Sequence, residues 1–187
     1  MKRTMLTKTC LTTGAMALLG LLAMGACTTA PRSADGKADI QQQADTALAK
    51  ARETDPSLVP VLQNAQGYAV FPSVGKGGAG VGGAYGKGVL YERDRIVGYC
   101  DLSQATIGFQ LGGQAYTQII AFETREALDN FKAGQLAFDA QATAVALRSG
   151  AGANAAYANG VAVFTMDEAG LMYEASVGGQ RFSYQAR

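Results

Sequence analysis

The chain has no histidine and no tryptophan among its 187 residues. Without histidine there can be no Ser-His-Asp triad, no Cys–His nucleophile pair and no histidine-containing metal site. Cysteine is scarce at three residues, and proline at four. Charge is sparse as well: 16 Lys+Arg stand against 15 Asp+Glu, a formal net of +1. That near-balance removes the usual electrostatic support for nucleic-acid binding. Glycine, by contrast, is abundant. Of 24 glycines, nine fall within the 22 residues 67–88, GYAVFPSVGKGGAGVGGAYGKG.

The N-terminus accounts for most of the cysteines and part of the charge. Lys2, Arg3 and Lys8 precede an uncharged stretch, 9–26, rich in Leu, Ala, Met and Gly. This reads as the n-region and h-region of a secretory signal. Leu21-Leu22-Ala23-Met24-Gly25-Ala26-Cys27 resembles a bacterial lipobox, with Met24 where leucine is usual. Residues 1–26 are then a removed signal peptide, Cys27 carries the lipid (palmitate among its acyl chains), and 27–37 form a flexible tether. The other reading is an uncleaved membrane helix, for which 9–26 is only marginally long, since a crossing needs about 20 apolar residues. Removing the signal leaves 13 cations against 15 anions, a net of −2. Cys10 leaves with the signal and Cys27 is lipidated. Cys100 then stands alone, without a disulfide partner, and is expected as a small buried hydrophobe. Thr28 after the cysteine resembles the sorting pattern for an outer membrane. The expected location is therefore the bacterial cell envelope, lipid-anchored and facing the periplasm.

The glycine stretch admits three readings. Gly75 to Gly80 and Gly78 to Gly83 both fit G-x-G-x-x-G, yet a dinucleotide fingerprint needs a helix to follow, and here more glycine follows and then Val89-Leu90-Tyr91. A Walker loop fails because Val81 occupies the position of its first glycine. The second reading is architectural: a glycine-softened, strongly bent β-hairpin packed closely on a neighbour. The third adds that Lys76 and Lys87, with backbone N–H groups, can face a phosphate headgroup. Arg93 and Arg95 at the next turn extend that basic surface. Against this stands the ordinary fate of a lysine or arginine, a solvated surface charge.

The remaining chain reads as α+β, an antiparallel sheet or barrel-like core with a few flanking helices. Ile40, Ala44, Ala47, Leu48 and Ala51 are spaced for a helix from about Ala38, its apolar face narrow and alanine-rich, with Asp55-Pro56 ending it. Leu58, Val61, Leu62 and Ala65 add a short second helix. Strands are expected at 68–71, 85–91, 95–100 and 116–122, the last apolar on both faces and therefore central. Thr124 caps a helix over 125–132, which Gly134 ends. Alternate alanines mark 136–147. A hairpin over 160–166 and 171–177 and a last strand at 180–184 complete one domain, 38–187. Ser73 and Ser103 lack a base and no G-x-S-x-G elbow occurs, so a serine hydrolase has no support, and a glycosidase-like carboxylate pair is the enzyme reading that stays open. Carboxylates such as Asp94, Asp101, Asp167 and Glu168 fall at expected turns.

Taken in order, Gly67-Tyr-Ala-Val-Phe-Pro, the Lys76 glycine tract, Gly83-Ala-Tyr-Gly-Lys-Gly88, Gly108-Phe-Gln-Leu-Gly-Gly-Gln114, Phe122, Phe131, Gly170-Leu-Met and Gly178-Gly179 resemble the SYLF-domain family. The resemblance spans roughly residues 40–187. It implies a non-catalytic, cofactor-free domain that binds membrane phospholipids, here anionic headgroups at Lys76, Lys87, Arg93 and Arg95. Eukaryotic members bind phosphoinositides and some regulate actin; bacterial members are often secreted or lipid-anchored. No SH3 or FYVE companion is present and the first helix is weakly amphipathic, which speaks against actin regulation. The alternative is a structural envelope lipoprotein whose domain binds a protein partner.

Overall fold

The structure is a computed structural model that describes residues 33–138, 143–167 and 175–187. The signal, Cys27, residues 28–32 of the tether, the centre of the alanine row and much of the expected late hairpin lie outside these residues.

The first helix, α1 (Ala34–Thr54), begins four residues before the expected Ala38. Ser33 explains the difference: its Oγ accepts from Gly36 N at 3.1 Å and caps the helix there. The apolar stripe is as read, with Ile40, Ala44, Leu48 and Ala51 buried. Asp55 ends α1, and α2 (Leu58–Asn64) follows with Leu58 and Leu62 buried. Pro60 lies in the first turn of α2, where a backbone N–H has no helical acceptor to lose.

Two strands then dominate the molecule. β1 (Gly67–Glu92) and β2 (Arg95–Phe122) form one long antiparallel hairpin. Its turn is the expected Arg93-Asp94, both residues at positive φ (51° and 58°), as a two-residue type I′ turn requires. The separate strands read at 68–71 and 85–91 are merged into β1, and those at 95–100 and 116–122 into β2. The glycine tract between them is one extended arm of the hairpin, not a hairpin of its own. Its glycines face those of β2 across the pair: Gly77 opposite Gly113, Gly78 opposite Gly112, Gly80 opposite Gly108. The register shift at Phe71/Val74 places an extra residue on this arm, and the one at Gly78/Gly80 places the extra residues on β2.

Strands of this length do not stay straight, and the hairpin doubles back on itself. A Cβ on Gly88 would meet the Val70 carbonyl oxygen and the Phe71 ring at 2.7 Å. A Cβ on Gly67 would meet the Tyr91 carbonyl oxygen at 2.8 Å. The end of β1 therefore packs on its beginning so closely that no side chain fits between them.

The remaining elements complete an open, mostly antiparallel α+β sheet. After β2 comes α3 (Arg125–Lys132), capped by Thr124, whose Oγ1 accepts from Ala127 N at 3.2 Å. Gly134 follows it at φ +69°. Then come β3 (Thr143–Ala146), a 3₁₀ turn (Gly152–Asn154), β4 (Val161–Asp167), β5 (Ala175–Ser176) and β6 (Gln180–Ala186). The order is β1-β2-β4-β3-β5, with β6 pairing the early part of β2. The expected pairing of β4 with the strand after it is not what the described residues show. At Phe164–Thr165 both edges of β4 are taken, by β2 and by a parallel β3, and β5 pairs β3 instead.

The late part of β2 is central, as its two-sided apolar text implies: β1 lies on one edge and β4 on the other. Its alternate residues feed two cores. Ile120 and Phe122 join Phe71, Phe131 and Phe182 under α3. Ile119 and Ala121 join Tyr68, Tyr91 and Tyr99 under α1 and α2. Cys100 is wholly buried on the phenylalanine side, and burial, with the charge of Asp101 adding, pushes its thiol pKa well up. It is an inert hydrophobe rather than a nucleophile.

Candidate functional site

The α1 stripe of small side chains leaves room for tyrosines to reach the helix. Tyr99 Oη accepts from Gln41 Nε2 at 2.6 Å, and Lys37 Nζ lies 5.1 Å from the centre of the Tyr99 ring. Tyr91 Oη donates to Asp45 at 2.8 Å. Tyr68 stacks on Tyr91 with ring centres 5.1 Å apart and donates to Asp94 at 2.6 Å. Arg52, in the last turn of α1, pairs with the same Asp94 at 3.6 Å. Burial, reinforced by the acceptor carboxylates, raises the pKa of both Tyr68 and Tyr91, so both hydroxyls remain donors.

The corner after α1 is fixed by Asp55, which is fully buried. Its carboxylate accepts from Ser57 Oγ (2.6 Å), Ser57 N (3.1 Å), Gly150 N (3.0 Å) and Gly152 N (2.6 Å). Burial alone would raise its pKa; these donors outweigh it and hold the carboxyl below its ordinary value. A second carboxylate, Glu92, is held low in the same way, its desolvation outweighed by Lys132 and Arg125.

At the opposite end of α1 the packing opens. A cleft of about 400 Å³ lies between the first turns of α1 (Gly36, Asp39, Ile40, Gln43) and the bent β1 (Pro72, Ser73, Gly75, Tyr85, Gly86, Lys87). The bulge takes Pro72 and Ser73 out of the β1–β2 register and turns them to its wall. A second depression of about 410 Å³ continues along α1 past Thr46, Lys50 and Met166. The two share Asp39, Gln43, Pro72 and Ser73, so they form one trough. Tyr85 stands at its mouth, 43% exposed, the one large hydrophobic so exposed among the described residues.

The four basic residues named from sequence do not come together. Lys87 lines the cleft; Lys76, one residue past the cleft-lining Gly75, does not. Arg93 and Arg95 sit exposed at the β1–β2 turn, which Asp94 ties to the far end of α1. None of the four is in an ion pair among the described residues. Asp39 and Tyr85 were not singled out from sequence. Asp39 reads only as one polar residue of the helix face, and Tyr85 as one of a strand's aromatics. The signal that joins them to Lys87 is the doubling-back of the hairpin, which glycine content hints at without giving its partner.

Among the described residues there is no group of three or more Cys, Asp and Glu that could hold a metal ion. No helix among them is long and apolar enough to cross a membrane. The structure is thus an α+β domain with a trough along α1. Residues 103–186 match the family model described as Ysc84: Las17-binding protein actin regulator. Over 154 residues the chain is 29% identical to Beta cell expansion factor A of Aeromonas veronii, an alignment covering 81% of this chain and 59% of that protein. The chain thus spans about three-fifths of that relative's length. These findings bear out the resemblance carried by the glycine motifs: residues 103–186 match the model of that family, and a distant relative aligns over most of the chain. The family-model match begins within β2, so α1, Lys87 and the β1 side of the cleft lie before it.

Proposed function

We propose that this protein is a non-catalytic phospholipid-binding domain held at a membrane through a lipidated Cys27. The supporting observation is Lys87 in the wall of the cleft between α1 and β1. There Lys87, Ser73 and the glycines Gly75 and Gly86 line one cleft of about 400 Å³, residue types suited to a phosphate headgroup. Tyr85 at the mouth suits the water–lipid boundary, where an aromatic ring with a polar tip is favoured. Lys76, Arg93 and Arg95 add outlying positive charge toward an anionic surface.

The test is flotation of the soluble domain with vesicles of phosphatidylcholine, with and without phosphatidylglycerol. Binding should be stronger with the anionic lipid, weaken as salt rises, and fall in Lys87→Glu. Equal binding to both vesicles, or none, would sink the reading. For the anchor, Cys27→Ser should release the full chain from membranes. Its retention in high salt would mean an uncleaved helix or a tightly lipid-bound domain. A protein-binding reading rests on the family description, which names a Las17-binding protein. It would gain if the domain ignored headgroup and salt alike.

A further inference from the structure

The trough along α1 does not present positive charge alone. Asp39 is exposed, and its carboxylate shares the cleft wall with Lys87. The two are not paired: no carboxylate lies within 4.0 Å of Lys87 among the described residues, and Asp39 instead accepts from Gln43 Nε2 at 2.9 Å. Gln43 lies one turn along the helix and also lines the cleft. One small cleft thus holds a cation on its strand side and an oriented anion on its helix side, with no ion pair between them.

A site for a bare phosphate gains nothing from Asp39, which would repel it. A ligand carrying both charges satisfies both walls. We infer, resting on the phospholipid reading above, that the cleft selects a phosphate ester bearing a primary ammonium group, the chemistry of a phosphoethanolamine headgroup. The phosphate lies toward Lys87 and Ser73; the ammonium donates to Asp39. A primary ammonium has three N–H donors for a carboxylate, whereas a quaternary choline has none, so the site discriminates between the two. The continuation of the trough past Met166 and Thr46 leaves a path for the rest of a lipid beyond the headgroup.

The test holds net charge constant. Vesicles contain one fixed fraction of phosphatidylglycerol, with either phosphatidylethanolamine or phosphatidylcholine as the remainder. The wild-type domain should bind the ethanolamine vesicles about fivefold more tightly, the worth of one exposed ion pair. Asp39→Asn should lose that preference while binding phosphatidylcholine vesicles at least as well as wild type. Lys87→Gln should weaken binding to both kinds. Free O-phosphoethanolamine, phosphocholine and inorganic phosphate, titrated separately by NMR, distinguish a headgroup site from a soluble-ester site. Shifts at Asp39 and Gln43 with the first alone support the assignment. Equal affinity for the two vesicle types, or a preference that survives Asp39→Asn, overturns it while leaving phospholipid binding standing. No binding to any vesicle and no shift with any ester removes both readings together.

Discussion

The two faces of the central sheet are built by different chemistry. On one side Phe122, Phe131 and Phe182 pack with ring centres 4.9 to 5.3 Å apart, and α3 lies over them. On the other, Tyr68, Tyr91 and Tyr99 carry hydroxyls to hydrogen-bond partners on and around α1. Phenylalanine rings are stabilised by area and shape, and the tyrosine on this side, Tyr116, is fully buried with its hydroxyl accepting from Gln180 Nε2. A tyrosine face must give each hydroxyl a partner, so its covering helix needs polar residues turned inward. Those residues follow the tyrosines along α1, and where Gly36, Asp39 and Gln43 of its first turns face Pro72 and Ser73 the cover lifts into a cleft. The trough lies on the tyrosine side, beside α1.

The sharpest way to break this comparison is to weaken each side and rank the losses. Phe131→Ala should cost about 4 kcal/mol, the usual scale for emptying a buried aromatic site. Urea denaturation measures it directly. A loss under about 1 kcal/mol would mean that the phenylalanine side does not carry the fold.

Asp55→Ala should come next, at about 3 kcal/mol, because three backbone N–H groups and a hydroxyl lose an ionised acceptor. Here pH supplies the sign. The folded-state pKa is depressed, so the carboxylate stabilises fully above its unfolded value near 3.9. That contribution disappears as pH falls through the lower folded value. The stability gap between wild type and Asp55→Ala should therefore be constant near neutrality and close in acid. A gap that stayed open at low pH would show that Asp55 acts through shape rather than charge.

Much of this was legible in the sequence, for identifiable reasons. The α3 helix followed from Thr124, the spacing of Ala127, Leu128 and Phe131, and Gly134, all local signals that tertiary structure had no cause to override. The turn at Arg93-Asp94 and the central character of 116–122 were equally local. What escaped were relations between distant residues. Nothing in the text from Gly75 to Gly83 says that both glycine clusters pair in one hairpin, or that Gly88 returns onto Val70. β3 inserting beside β4 is a choice of edge partner, which strand composition does not encode. The basic residues were found by type, but their grouping failed because α1 separates Lys87 from Arg93 and Arg95 by most of its length.

A smaller effect sharpens the tyrosine side. Tyr91→Phe keeps the ring stacked on Tyr68 and removes only the bond to Asp45, so it should cost about 1 kcal/mol. Hydrogen exchange should localise the loosening to α1. If exchange rises equally under α3, the two faces are one cooperative unit and the contrast between them is only chemical.

The smallest expected effect is the most informative about function. Lys87 is only partly buried, lies outside every ion pair among the described residues, and lines the cleft rather than the core. Lys87→Gln keeps most of its length and removes only its charge. It should change stability by no more than about 0.5 kcal/mol, as surface changes do. Yet it should weaken vesicle binding and flatten its salt dependence, since one screened charge is gone. A cleft used for binding is one whose polar residues matter little to folding and much to the ligand. If Lys87→Gln instead unfolds the domain as readily as Phe131→Ala, the lysine belongs to the architecture. The tyrosine side would then be a second core, and the binding surface would have to be sought away from α1.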